Sequence, residues 1–290
     1  MTPSQLMVFS KHLAGPPLAD IARRLRAMEI TAVDLTVRAG GHVEPDRVED
    51  DLPRAAAELA QHGVRIGQIT TNITDARDKT TESILRSAAS LGIGFYKLGY
   101  YPYKGFGGLR QQRDEVKAKV KDLGAISHDI GIQGGFHNHS DTFIGASLWD
   151  IDYILQDVAP EAIGLYFDPA HAAIEGGSKG WEMGLDLLKD RVVMLAVKDF
   201  LWSEDRGYAG GRRFKVQFCP MEIGTVRWPE TLRHLAALGY TGPISLHSEY
   251  QGSHSWRDLA TDAVFEQTAS DAALFRQWLA EMEEKKEKKE

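Results

Sequence analysis

One pattern dominates this chain. A short apolar run closes on polar residues, a helix-like segment follows, and the pair recurs until eight runs have passed. The runs read "LMVFSKH", "AVDLTVR", "IGQITTN", "FYKLGYY", "GGFHNHS", "GLYFDPAH", "MLAVKDF" and "ISLHSEY". Segments such as "PLADIARRLRAM", "PDRVEDDLPRAAAELAQHG", "TESILRSAASLG" and "WPETLRHLAALG" separate them. In the last of these Pro229 suits the first helical turn and Gly239 suits the stop. Such alternation implies βα units and a parallel sheet, and eight units predict one α/β domain closed as a (β/α)8 barrel. A doubly wound open sheet is the alternative. It is disfavoured because no G-x-G-x-x-G follows the first run and because eight runs exceed the usual number of about five or six. The glycines of "KGFGGLR" (Gly105, Gly107, Gly108) have the wrong spacing and read as a flexible loop.

The barrel is expected over residues 1–278. Its last helix begins near Leu259 and carries Phe265, Phe275, Leu279 and Met282 at a spacing that fits one packed face. The end, "EEKKEKKE", has nothing apolar to bury. Residues 279–290 are therefore expected as a charged tail, a frayed helix end or disordered.

The chain has 41 acidic and 34 basic residues, a net charge of −7. That balance argues against a nucleic-acid partner and gives no reason to expect an anionic membrane surface. The start, "MTPSQLMVFSKHLAG", has no basic n-region and no long apolar stretch, so neither a signal peptide nor a membrane span is expected. A single cysteine, Cys219, forbids an intrachain disulfide and suits a reducing cytoplasm, the expected location. Without a secretion signal, the sequons at Asn72 and Asn138 read as chance. A barrel of this size is compatible with a homodimer.

In a (β/α)8 barrel, chemistry sits at the C-terminal ends of the strands. The polar residues gather there. The second run ends in Arg38 and, past two glycines, His42; the third in Thr70, Thr71 and Asn72. The fourth brings Lys97 with Tyr100, Tyr101 and Tyr103, the fifth His137 and His139, and the sixth Asp168 and His171. Lys198 and Asp199 close the seventh run, His247 and Glu249 the eighth. Of 10 histidines, five (His42, His137, His139, His171, His247) fall at run ends, whereas His62 and His234 fall in helix-like segments. His137 and His139 share a face because strand side chains alternate, which turns Asn138 away from that face. Imidazoles beside carboxylates make a mixed nitrogen and oxygen donor set suited to Mn²⁺, Mg²⁺, Co²⁺ or Zn²⁺. The alternative is rim carboxylates hydrogen-bonded to histidines with no metal.

The sequences "FDPAHA", "VKDF" and "SLHSEY" resemble the sugar phosphate isomerase/epimerase group, whose members are xylose isomerase-like TIM barrels related in fold to endonuclease IV. "GFHNHS" with "IGASLWD", and "VDLTVRAGGHVEP" near the start, are similar to the branch with a His-Asn-His motif at the fifth strand. The resemblance runs to about residue 278. It implies one divalent cation held by a fifth-strand Glu, a sixth-strand Asp, a seventh-strand His and an eighth-strand Glu. Asp168 and Glu249 match two of these positions. His137 stands at the Glu position and Ala196 at the His position, with His139 as the substitute. The implied ligand set is His137, His139, Asp168 and Glu249.

The resemblance implies a metal-assisted isomerase or epimerase acting on a sugar, ketose or polyol ketone through an enediolate. Glu249 or His137 would exchange the proton and Lys198 would stabilise the oxyanion, or else pair with Asp199 or Glu249. His171, Asp199, His247, Tyr101, Arg38 and His42 would contact substrate, the last two at a phosphate or carboxylate. Tyr100, Tyr103, Phe106 and Trp202 are further candidates for an apolar wall. A dehydratase or lyase acting on a keto-sugar or inosose would use the same set, and a barrel that binds sugar without turnover is favoured by Ala196. A phosphodiesterase of the endonuclease IV kind is disfavoured by the acidic balance and the replaced ligands.

Overall fold

The computed structural model describes residues 1–13 and 15–287. Twelve strands occur among them. The first four are β1 (Leu6–Phe9), β2 (Ala32–Val37), β3 (Arg65–Thr71) and β4 (Phe95–Lys97). Then come β5 (Tyr101–Pro102), β6 (Gln133–His137), β7 (Phe143–Ile144) and β8 (Ile163–Phe167). The last four are β9 (Val192–Val197), β10 (Asp199–Glu204), β11 (Phe214–Cys219) and β12 (Ile244–Leu246). A closed parallel barrel forms from β1, β2, β3, β4, β6, β8, β9 and β12, with β12 returning to β1. These strands coincide with the eight apolar runs. β1, β2, β8 and β12 are buried at every position, because helices cover the face that the barrel interior does not.

The outer ring holds α1 (Leu18–Ala27), α2 (Val48–Gln61), α3 (Thr81–Ser90), α4 (Leu109–Ile130), α5 (Leu148–Leu155), α6 (Pro169–Leu187), α7 (Trp228–Ala237) and α8 (Thr261–Glu287). Pro229 lies in the first turn of α7, and Gly239 follows its end at φ 68°, a left-handed conformation that costs glycine nothing. α8 buries Phe265, Phe275 and Leu279 and packs Met282 against the same core. The helix runs past 278 to Glu287, so residues 279–287 take the helical of the two states expected for the tail. The rest of the expected tail, 288–290, lies outside the described residues. No described helix is long and apolar enough to cross a membrane.

Two small sheets stand above the barrel. β5 pairs antiparallel with β7, and β10 pairs antiparallel with β11 over six residue pairs. Neither was anticipated, since β10 continues the seventh apolar run and β11 lies where no run was read.

The barrel interior has a polar floor. Asp34 of β2 accepts hydrogen bonds from Gln68 Nε2, Thr70 Oγ1 and Ser245 Oγ, each at 2.8 Å. Burial raises its carboxyl pKa to about 6 despite these donors. Ala196, Tyr166 and Met194 form a small buried cluster of their own.

Candidate active site

Asp168 organises the mouth of the barrel. It follows β8 and caps α6, Oδ1 accepting from the His171 backbone N–H at 3.0 Å. Asn138, just past β6, clamps its main chain: Nδ2 donates to the Asp168 carbonyl at 2.9 Å and Oδ1 accepts the Asp168 N–H at 2.8 Å. So Asn138 points away from the open mouth, as alternation requires, and its amide instead fixes the strand end next door. That locks the Asp168 side chain in place before any ligand arrives.

Oδ2 of Asp168 faces three groups. His137 Nε2 is at 3.1 Å, Lys198 Nζ at 3.3 Å and His171 Nε2 at 3.8 Å. The other nitrogen of His137 meets the Tyr100 hydroxyl at 2.9 Å. Burial raises the Tyr100 pKa well above its usual value, so the phenol stays protonated and donates. His137 Nε2–H then donates to Asp168, and burial keeps this imidazole neutral by driving its pKa well down. Lys198 Nζ donates to His171 Nε2 at 2.8 Å, which leaves His171 Nδ1–H to donate to Ser140 Oγ at 2.7 Å. Both imidazoles are thus neutral and fully engaged.

Lys198 crosses to the other side of the mouth as well, where Glu249 Oε1 lies 2.8 Å from Nζ. Burial opposes the charge on Lys198, but Asp168 and Glu249 outweigh it and raise the pKa. On Glu249 burial acts upward and Lys198, His12 and His247 act downward, and the carboxyl ends well below its usual range. His12 Nε2 lies 3.9 Å from Glu249 Oε1 and has no hydrogen-bond partner. His247 Nδ1 lies 4.0 Å from Glu249 Oε1, and its Nε2 meets the Tyr166 hydroxyl at 3.0 Å. Phe218 of β11 roofs this centre, its ring 4.5 Å from Lys198 Nζ and edge-on to His171.

Arg38 and His42 lie on the β1–β2 side. With Lys11 and Thr36 they line a cavity of about 340 Å³. His42 Nδ1 is held by Thr36 Oγ1 at 2.9 Å. Lys97 is buried with its ammonium 3.4 Å from the Tyr100 ring centre and without a hydrogen-bond partner.

Several expectations are corrected. Asp199 does not face the mouth. Its Oδ1 accepts from the N–H groups of Phe200, Thr225 and Val226, and Oδ2 accepts from Trp228 Nε1, so the carboxylate fastens the loop before α7. Lys198 accordingly pairs with Glu249 and Asp168 rather than Asp199. Tyr101 is packing: its hydroxyl donates to the Thr74 carbonyl and its ring stacks on Phe136. Tyr100, one residue earlier, reaches the site instead. Phe106 and Trp202 are exposed and Tyr103 rests on the core, so the expected wall does not form. His139 stacks on His171 at 3.9 Å with Nδ1 donating to the Ser140 carbonyl. Reading by runs passed over His12, Lys11 and Phe218. His12 could have been found, since it ends the first run as the other histidines end theirs.

The four implied ligands do not gather round one point. Among the described residues, the single group of three or more donors with ligand atoms within 4.8 Å of one another is Glu182, Glu230 and His234, outside the barrel and paired with Lys179. In the mouth an ammonium already sits between the two carboxylates, His137 spends both nitrogens, and Ala196 offers no donor. A dication about 4 Å from that ammonium would be repelled by roughly 8 kcal/mol at an effective dielectric of about 20, which offsets the attraction of one of the two carboxylates at the same distance. These residues do not fit a divalent ion.

A family model described as a xylose isomerase-like TIM barrel matches residues 22–270. The chain belongs to the xylose isomerase-like TIM barrel family. Solved structures of that shape resemble it along most of their length. D-psicose 3-epimerase from Clostridium cellulolyticum H10, crystallised with D-tagatose, superposes with a TM-score of 0.69 at 11% identity, covering 94% of this chain and 99% of that one. A xylose isomerase-like TIM barrel protein from Mycobacterium smegmatis in complex with magnesium gives 0.66 at 18% identity, covering 91% and 90%. The probable 3-DHS dehydratase AsbF of Bacillus anthracis gives 0.65 at 14% identity, covering 92% and 97%. At these identities the likeness is one of fold. No curated protein matches the chain by sequence.

Proposed function

We propose that this barrel is an isomerase or epimerase that abstracts and returns a proton beside the carbonyl of a sugar, ketose or polyol ketone. The observation that carries the reading is the contact of Lys198 Nζ with Glu249 Oε1 at 2.8 Å in the barrel mouth. Enolisation needs a base at the C–H bond and a positive group at the oxygen that gains charge. Glu249 supplies a carboxylate held ionised, and it is the more exposed of the pair, 13% against 2% for Lys198. Lys198 supplies the charge that stabilises the enediolate oxygen. His137, with both nitrogens engaged, positions Asp168 and leaves the base role to Glu249. His171, with Nδ1 on Ser140 and Nε2 on Lys198, positions the ammonium rather than touching substrate. The sugar class is supported by relatives of this fold, among them an epimerase crystallised with D-tagatose.

The test is hydrogen exchange. The protein is incubated in D₂O with a panel of ketoses, inososes and keto-glycosides, and deuterium beside the carbonyl is read by NMR. Exchange with at least one member, lowered about 10²-fold or more in Glu249→Gln, is expected. A dehydrated product in the same spectra would make the enzyme a lyase using the same pair. Binding without exchange across the panel would favour the second reading, a sugar-binding barrel without turnover, to which Ala196 points.

A further inference from the structure

We propose that Lys198 permanently takes the place of the divalent cation in this barrel, so that the mouth works, or binds, without a metal. The inference rests on the enolisation reading only for what the ammonium does to substrate. The replacement itself is argued from geometry.

Ala196 and Lys198 occupy alternate positions at the end of β9 and therefore share a face. A small residue at the first lets the four-carbon stem of the second lie down into the mouth. Ala196 itself is fully buried in a cluster with Tyr166 and Met194. The ammonium reaches Glu249 Oε1 at 2.8 Å, His171 Nε2 at 2.8 Å and Asp168 Oδ2 at 3.3 Å. Glu249 and His171 accept two of the three –NH₃⁺ hydrogens and Asp168 adds an ion pair, which leaves the third hydrogen for a substrate oxygen. A dication would have to evict a buried ammonium already paired with both carboxylates to enter.

The surroundings argue the same way. His137 takes the tautomer that donates from Nε2 to Asp168, because Tyr100 occupies Nδ1, so the nitrogen facing the carboxylate carries a hydrogen and offers no lone pair. Lys11, Arg38 and Lys97 stand round the same mouth, and none has an ion-pair partner among the described residues. The electrostatic neighbours of Lys11 are Glu249, Arg38 and Lys198, and those of Lys97 include Arg38, Lys11 and Lys198. Burial lowers the pKa of Lys11 and Lys97, and Lys198 is the ammonium that pairs with both carboxylates. An ammonium donates directed hydrogen bonds and is a weaker electrophile than a dication. It suits a substrate whose C–H bond is already acidic, such as one flanked by a carbonyl and a second electron-withdrawing oxygen.

The experiment is a Mn²⁺ titration of the chelator-treated full chain, followed by loss of the free-ion electron spin resonance signal. It needs no substrate, so it separates this inference from the enolisation reading, which fails instead if no deuterium exchanges. Wild type is expected to leave Mn²⁺ free, and Lys198→Met, which uncovers the two carboxylates, to bind it at least about tenfold more tightly. An ion retained by Asp168→Asn and lost in Glu182→Gln would belong to the outer cluster and leave the mouth metal-free, as proposed. One equivalent of Mn²⁺ bound by wild type, lost in Asp168→Asn or Glu249→Gln and kept in Glu182→Gln, overturns the inference. Should Lys198→Met fail to fold, the wild-type titration decides alone.

Discussion

Lys198 and Glu249, 51 residues apart in sequence, meet at 2.8 Å inside the barrel mouth, where water is largely excluded. A buried pair of this kind is costly to break from one side, because the remaining charge loses its partner. Lys198→Met is expected to lose about 3–5 kcal/mol of stability in urea denaturation. Adding Glu249→Gln to that variant should recover part of the loss, since the stranded carboxylate goes with it. Strictly additive losses would show that the two charges do not interact.

Tyr100 and Tyr101 are neighbours with different duties, and hydroxyl deletion should separate them. Tyr100→Phe frees His137 Nδ1, lets the ring change tautomer and loosens its hold on Asp168. A roughly tenfold drop in exchange rate is expected with little change in stability. Tyr101→Phe loses one bond to the Thr74 carbonyl and should cost about 1 kcal/mol of stability with the rate unchanged. Equal kinetic effects from both would contradict the assignment.

Asp199 is expected to matter for folding and not for chemistry. A Cβ at Gly224 would lie 1.9 Å from Asp199 Cγ, so the loop before α7 closes only over glycine. Gly224→Ala should destabilise by at least about 1–3 kcal/mol. Asp199→Asn should also destabilise, because an amide nitrogen would confront N–H donors. Neither change should shift KM for the exchanged substrate, and a large KM effect from Asp199→Asn would return that residue to the site.

The pH dependence of stability has two limbs. Burial lowers His139 to about 4 and His12 to about 3, so the unfolded chain takes these protons first as the pH falls. Their contribution is complete above the ordinary histidine value of about 6.5 and is lost progressively as pH falls through the folded values. His139 should account for about 3 kcal/mol over that window, and His139→Gln should flatten the limb. Burial raises Asp34 to about 6 and Asp199 to about 7, so their contribution is present at low pH and is lost as pH rises through those values. Between about pH 4 and 6 the two limbs oppose and largely cancel, so variants must separate them: His139→Gln should tilt the melting temperature downward with rising pH relative to wild type, and Asp34→Asn upward. The same pH profile in both variants as in wild type would show that these groups are not buried as the structure has them.

Much of this protein was determined by its sequence alone. Eight apolar runs separated by amphipathic segments call for a parallel sheet with both faces covered, and their number favours a closed barrel inside a ring of helices over a doubly wound sheet. The same regularity put His137, Asp168, His171, Lys198 and Glu249 at the ends of strands, because the run ends are where side chains leave the core. What periodicity cannot carry is which of those groups meet. Strand alternation fixes a face but not a partner, so it could not choose Glu249 over Asp199 for Lys198, or Tyr100 over Tyr101 for His137. The Phe218 roof depends on a hairpin with no apolar run to announce its second strand, and the last turn of α8, past Met282, carries no apolar residue that could announce it. Those choices belong to the closed barrel, which brings together residues tens of positions apart and lets distance, burial and charge decide among them.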